Sequence, residues 1–164
     1  MGKMQFATPV RYREAHASDL PQMALIWSRE GSEGGASEQR MTGYFNGQHH
    51  PKHALLPRVI YVAQQGDALI GYIAGHLTRR YECEGELQWV YVIPECRGGG
   101  VGSELLHRLA AWFREQQASR VCVNVVPDNA PALRFYFRWG AEALNQHWLV
   151  WNDIAKLPAD GQAS

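Results

Sequence analysis

Hydrophobic and polar positions along the chain follow two periods, one of about 2 residues, typical of strands, and one of about 3.6, typical of helices. Runs rich in β-branched and aromatic residues predict strands at 9–14, 58–63, 68–77, 85–93, 120–126 and 143–151. Apolar residues at helical spacing predict helices that begin near residues 18 and 103, another at 129–139, and a helical patch at 39–45. The order β-α-(α)-β-β-β-α-β-α-β predicts an α/β fold.

The centre of this order is a strand-helix-strand unit that runs from Leu87 to Val126. Its two strands are expected to pair in parallel through a right-handed crossover, because nearly all such connections have that hand. Strands 58–63 and 68–77 are separated by a short glycine turn, which predicts an antiparallel hairpin. We therefore expect a mixed sheet with a central βαβ unit and flanking helices. Residues 28–57 are irregular, and such a span is commonly either disordered or functional.

Length and composition narrow the class of protein. The 164 residues fit one domain, assigned to 1–155, with a polar tail at 156–164. Sixteen Lys and Arg balance sixteen Asp and Glu, which argues against a general nucleic-acid binder. No apolar stretch approaches the roughly 20 residues that span a bilayer, so no membrane partner is expected. The three cysteines form no CxxC pair, which predicts a reduced, cytoplasmic protein.

A glycine-rich segment lies between the strand at 85–93 and the following helix. It reads Arg97-Gly98-Gly99-Gly100-Val101-Gly102-Ser103. Such a loop can turn several main-chain N–H groups toward one oxyanion at the positive end of a helix. Its glycines permit positive φ and lack the Cβ that would keep phosphate oxygens away, while Arg97 can add a charge-assisted contact. Ser103 and Glu104 stand where Walker and Rossmann loops need other residues, and a turn that binds nothing is the alternative.

Two motifs resemble one known family. Val90-Tyr91-Val92-Ile93-Pro94, followed by Arg97-Gly98-Gly99-Gly100-Val101-Gly102, is similar to the main signature of the GNAT superfamily of N-acetyltransferases. Asn129-Ala130-Pro131-Ala132-Leu133-Arg134-Phe135-Tyr136-Phe137-Arg138-Trp139-Gly140-Ala141 is similar to a second segment of that family. The resemblance covers roughly Arg11 to Trp151 in element order and is specific from Leu87 to Ala141.

The resemblance implies a GNAT-like fold and acetyl-coenzyme A (acetyl-CoA) as the acetyl donor. It places the pyrophosphate on the amides from Gly98 to Ser103. It pairs the pantetheine arm with the main chain of Val90, Tyr91 and Val92, where two parallel strands separate. Asn129, which begins the second motif, is grouped with these cofactor-binding residues.

The implied reaction is direct attack of a primary amine on the thioester through a tetrahedral intermediate. An amine with a pKa of roughly 10.4 arrives protonated, so a base is needed, and the oxyanion needs a donor, assigned to the Val90 N–H. Tyr136 matches the family's tyrosine and is assigned as the acid that protonates the leaving thiolate. An aromatic core role is the alternative for Tyr136.

The base is assigned to Glu86, acting through water. If no bulge intervenes, strand alternation places Glu86, Gln88 and Val90 on one face. The alternative is a solvated strand-end glutamate, with bulk water receiving the proton. Gln88 occupies a position where some members carry a carboxylate, and an amide cannot accept the proton.

Two other functions stay open. The first is a non-catalytic acyl-CoA-binding module, which is suggested by the amide of Gln88 where a carboxylate could act as base. The second is a nucleotide-binding domain, because the glycine loop taken alone is compatible with one. No metal is expected, because His49, His50 and His53 have no partner at metal-ligand spacing. Members of the family commonly dimerise, so a homodimer is an option, but no feature indicates an interface.

Overall fold

The computed structural model describes residues 8–29, 38–48 and 50–157. Over this part of the chain, seven strands form one sheet in the order β1-β2-β3-β4-β5-β7-β6. The strands are β1 (Val10–Glu14), β2 (Ala54–Gln65), β3 (Ala68–Thr78), β4 (Gly85–Val92), β5 (Val121–Asn124), β6 (Glu142–Asn145) and β7 (Trp148–Trp151). The helices are α1 (Leu20–Ser28), α2 (Glu38–Phe45), α3 (Val101–Glu115) and α4 (Ala130–Arg138).

Helices cover both faces of the sheet. One face packs on α3 in a core that includes Leu105, Leu109 and Phe113. This approach is close: a Cβ added to Gly75 of β3 would lie 2.8 Å from the Leu109 side chain. The opposite face packs on α1 and α2 in a second core, to which Tyr44 contributes. We call these the α3 face and the α1–α2 face. The chain thus has the expected α/β architecture with helices on both sides of a mixed sheet.

The central βαβ unit is confirmed, because β4 and β5 pair in parallel. The hairpin of β2 and β3 is also confirmed, although β2 begins at Ala54, four residues before the predicted start. The helical patch at 39–45 is helix α2.

The prediction of one strand at 143–151 is wrong. The segment folds into two antiparallel strands, β6 and β7, joined by a tight turn. The main-chain N–H of His147 donates to the Asn145 side-chain oxygen at 3.0 Å. A turn closed by an asparagine side chain needs neither glycine nor proline, so the usual marker was missing.

Among the described residues, no helix is long and apolar enough to cross a membrane. The same residues contain no group of three or more His, Cys, Asp or Glu that could hold a metal ion. His49, one of the three discounted histidines, lies outside the described residues. The domain limits at 155 and 156 remain a prediction.

Candidate active site

Strands β4 and β5 stay paired over only three positions, from Gly85–Val121 to Leu87–Val123. β4 continues to Val92 and remains paired with β3 on its other edge. Leu87 pairs with Gly75 and Trp89 with Ala74, which leaves Gln88 as an extra residue, a β-bulge. The edge of β4 that faces β5 is therefore open beyond Gln88.

Main-chain groups alternate along a strand, and this alternation decides which residues face the open edge. The Ile93 N–H donates to the Ile70 carbonyl at 2.9 Å, so residues 91 and 93 direct their groups toward β3. A Cβ added to Gly71 of β3 would lie 2.8 Å from the Tyr91 carbonyl oxygen, in agreement with that direction. Of the three residues predicted to pair with pantetheine, Val90 and Val92 thus face the open edge, whereas the Tyr91 main chain faces β3.

The glycine loop leaves its amides unbonded. Gly98 and Gly100 have φ of +84° and +91°, values that side chains rarely adopt. The first helical N–H with a main-chain acceptor is that of Glu104, which donates to the Gly100 carbonyl at 3.0 Å. The N–H groups from Gly98 to Ser103 make no hydrogen bond within the described chain. Unpaired amides at the start of a 15-residue helix suit a phosphate group.

Arg97 connects the loop to the open edge. Its Nε donates to the Val92 carbonyl at 2.7 Å, and its guanidinium lies 5.4 Å from the centre of the Tyr91 ring. These contacts hold the guanidinium charge where the strand ends and the loop begins.

Tyr136 lies on α4 and is 5% exposed. Its ring packs edge-on against Trp151 at 5.7 Å and against Phe135 at 5.4 Å, so it is also a core residue. Burial raises the pKa of the Tyr136 phenol, which stays protonated at neutral pH. The hydroxyl makes no hydrogen bond to the described residues. A protonated donor with an unused hydroxyl is what the acid role requires.

Asn129 precedes α4 and caps it. The Ala132 N–H donates to the Asn129 side-chain oxygen at 3.2 Å, which satisfies one of the helix's first amides. This contact engages the side-chain oxygen and gives Asn129 a structural role as a helix cap, which was not predicted from the sequence.

The bulge at Gln88 also corrects the expected arrangement of faces. Leu87 and Val90 both pack on the α3 face, whereas Trp89 packs on the α1–α2 face. Glu86 and Val90 therefore do not share a face, and the premise of unbroken alternation is wrong. The Gln88 side-chain oxygen is buried and has no hydrogen-bond partner in the described structure.

Glu86 is 5% exposed and lies within a buried polar cluster, so a solvated strand-end position is excluded. The Glu86 Oε1 atom lies 3.3 Å from Arg80 Nε and 3.5 Å from His76 Nε2. His76 Nδ1 in turn lies 2.8 Å from the Tyr44 hydroxyl. We call these four residues the Glu86 cluster. The sequence did not predict the other three members of this cluster, and their only signal was a histidine within the apolar run of β3.

The fold and site define an α/β protein with an open strand edge that leads into a glycine loop of unbonded amides. The acetyltransferase (GNAT) family matches residues 22–141, and the chain belongs to this family. Among curated proteins, an uncharacterised N-acetyltransferase of Methanocaldococcus jannaschii is 32% identical over 88 residues, 53% of this chain and 54% of that protein. The chain spans about half the length of the curated relatives it matches.

Solved structures share the fold. An acetyltransferase of the GNAT family from Desulfovibrio desulfuricans has a TM-score of 0.70 at 17% identity, covering 89% of this chain and 99% of that one. YncA of Salmonella typhimurium, determined with its cofactor acetyl-CoA, has a TM-score of 0.67 at 16% identity, with 88% and 94% covered. The predicted GNAT-like fold is therefore confirmed.

Proposed function

We propose that this protein transfers an acetyl group from acetyl-CoA to a primary amine. The observation that carries the proposal is a path of main-chain groups that neighbouring strands leave unpaired, from Val90 and the Val92 N–H on the open edge to the loop amides at 98–103. A ligand with an extended amide-containing arm and a pyrophosphate matches both parts. The acetyl-CoA bound in the Salmonella relative, and the N-acetyltransferase name of the Methanocaldococcus relative, support this choice.

The chain's contribution to coenzyme binding divides between two parts. Val90 and the Val92 N–H would hold the pantetheine arm as an added strand, because these groups face the edge that β5 leaves open, while the Val92 carbonyl already accepts from Arg97 Nε. The amides of Gly98 to Ser103 would hold the pyrophosphate, with Arg97 adding positive charge. Bound acetyl-CoA supplies the thioester that the amine attacks.

Three groups would then serve the transfer. The Val90 N–H donates to the carbonyl oxygen that becomes negative during attack. The Tyr136 hydroxyl gives its proton to the departing thiolate, and Glu86 receives the amine proton through water. Because Glu86 lies on the α1–α2 face, this assignment brings the amine from that side of β4.

The direct test measures free thiol release from acetyl-CoA across a panel of primary amines that includes small polyamines and lysine peptides. At least one amine should accelerate release and appear as its N-acetyl product by mass spectrometry. Coenzyme binding without thiol release for any amine would reject transferase activity.

That second outcome describes the alternative function, a non-catalytic acyl-CoA-binding module. It is favoured by Gln88, which stands at the bulge and cannot accept a proton, and by the contact of Arg80 with Glu86. A nucleotide-binding domain would instead be stabilised against heat by ATP or NAD and not by coenzyme A. The cytoplasmic location and the homodimer remain predictions from the sequence.

A further inference from the structure

His76 is the most enclosed polar side chain near the candidate base. It is 0% exposed and is the cross-strand neighbour of Glu86 in the pairing of β3 with β4. Side chains directly opposite in an antiparallel pair lie on the same face and within contact distance. A buried imidazole is costly unless its nitrogens are paired. The two nitrogens of His76 therefore need an explanation.

The Tyr44 hydroxyl, 2.8 Å away, engages His76 Nδ1. Burial raises the pKa of the Tyr44 phenol, which therefore keeps its proton. No other hydrogen bond of this hydroxyl occurs in the described structure, so its proton points to Nδ1 and Nδ1 is the acceptor. An N–H then lies at Nε2, the nitrogen that faces Glu86.

The two carboxylate oxygens of Glu86 differ in their contacts. Arg80 Nε and His76 Nε2 both approach Oε1, at 3.3 and 3.5 Å. Oε2 makes no hydrogen bond to the described residues, and 6% of the Glu86 side chain is exposed. His76 Nε2 lies 3.5 Å from Oε1 and makes no hydrogen bond, and such contacts commonly tighten when a substrate binds.

We propose that His76 is a positioning residue, oriented by Tyr44, that holds Oε1 of Glu86 so that Oε2 receives the acceptor proton. This inference rests on the proposed function, because it assigns an atom and a supporting residue to the same proton transfer. When substrate binding shortens this contact to a hydrogen bond, the Nε2–H fixes the rotation of the carboxylate about its terminal bond. Without it, Arg80 alone leaves that rotation undetermined, and the two oxygens exchange.

Kinetics of four variants test this assignment: Glu86→Gln, His76→Leu, His76→Gln and the double variant Glu86→Gln/His76→Leu. The amine giving the fastest thiol release with the wild-type protein is used throughout. His76→Leu should lower kcat by roughly 10- to 100-fold, the effect of a misplaced reacting group, with the KM for acetyl-CoA unchanged. His76→Gln should recover most of the loss, because its amide N–H can reach the place of Nε2.

The double variant separates a positioning role from a general loss of packing. If His76 acts through Glu86, removing both should lower kcat no further than Glu86→Gln alone. The proposal would be overturned if the fold-loss of kcat in the double variant equalled the product of the two single losses. It would also be overturned if Glu86→Gln lowered kcat and His76→Leu left it unchanged. An unchanged kcat in Glu86→Gln would instead show that the base itself is misassigned.

A measurement without turnover keeps the inference testable if no amine is acetylated. Nitrogen-15 NMR of histidine-labelled protein gives separate imidazole signals, and those of His76 are the ones missing from His76→Gln. In the wild-type protein at neutral pH they should show the Nε2–H form. Tyr44→Phe should remove that preference, with folding checked by thermal unfolding. An Nδ1–H form or an imidazolium in the wild-type protein would overturn the proposal.

Discussion

Two stretches of β4, separated by the bulge at Gln88, contact their surroundings in different ways. From Gly85 to Leu87 the strand is paired on both edges, and its chemistry lies in a buried side chain, that of Glu86. From Val90 to Val92 it is paired on one edge only, and its chemistry lies in the main chain. Activity should depend on side-chain charge in the first stretch. Coenzyme A binding should depend on unobstructed main-chain groups in the second.

Tyr136→Phe should have the largest effect of the variants below. Removing the hydroxyl takes away the proposed proton donor and leaves the ring packing on Trp151 intact. We expect kcat to fall by roughly 10²–10⁴-fold with coenzyme affinity unchanged. Steady-state thiol release and calorimetric binding of coenzyme A measure the two quantities. The control is Tyr61→Phe in β2, and an equal kcat loss in both variants would contradict the acid assignment.

Gly100→Glu should block the main-chain path. The φ of Gly100, +91°, disfavours any side chain, and the added carboxylate would repel a pyrophosphate. We expect coenzyme A affinity to fall by about 100-fold or more, since close like charges cost several kcal/mol. Gly66→Glu is the matched control, because Gly66 also has a positive φ, +62°, and open space around it, but lies in the β2–β3 turn. Unchanged coenzyme A affinity in Gly100→Glu would show that the loop does not bind the pyrophosphate.

Asp19→Asn probes an ion pair outside both stretches of β4. The Arg13 guanidinium donates to both oxygens of Asp19, at 2.8 and 2.9 Å, and lowers the pKa of that carboxyl. Loss of this charge should lower the free energy of unfolding by about 1.5–3 kcal/mol at neutral pH, with turnover unchanged. Because the folded pKa is the lower one, the contribution is present above the unfolded value and disappears as pH falls through the folded value.

Urea unfolding of the wild-type and Asp19→Asn proteins between pH 7 and pH 3 measures this dependence. The stability difference should shrink as the solution becomes acidic. A difference that is constant over the range would mean that the carboxylate charge contributes nothing.

Asn129→Ala should have the smallest effect and decides between two roles for this residue. Loss of the cap on α4 should destabilise the fold by about 1 kcal/mol, and Asn129→Asp should retain most of the stability. Thermal unfolding and coenzyme A binding are measured on both variants. A tenfold loss of affinity without destabilisation would support the cofactor-binding assignment.

The loop and open edge could be anticipated because their chemistry is local. A strand followed by glycines and a helix has unpaired amides at the helix start, independent of the neighbouring strands. Residues 90–103 alone therefore predict the candidate binding loop. The Tyr91 main chain was the exception: its direction depends on the alternation relative to β3, which the sequence of β4 does not fix.

The Glu86 cluster could not be anticipated for the opposite reason. Tyr44 comes from α2, His76 from β3 and Arg80 from the connection to β4, and only packing brings them together. The bulge is equally non-local, because an extra residue is defined only by the strand it faces. Assuming unbroken alternation therefore assigned Glu86 and Val90 to one face.

The sequence by itself determined the order of elements, the parallel unit at the centre and the free amides of the loop, because periodicity, glycine conformation and helix ends act over a few residues. Only the tertiary structure decided where β4 leaves β5, which edge each peptide group faces and which side chains surround Glu86. Those properties depend on contacts between segments tens of residues apart, and such contacts form only when the sheet assembles.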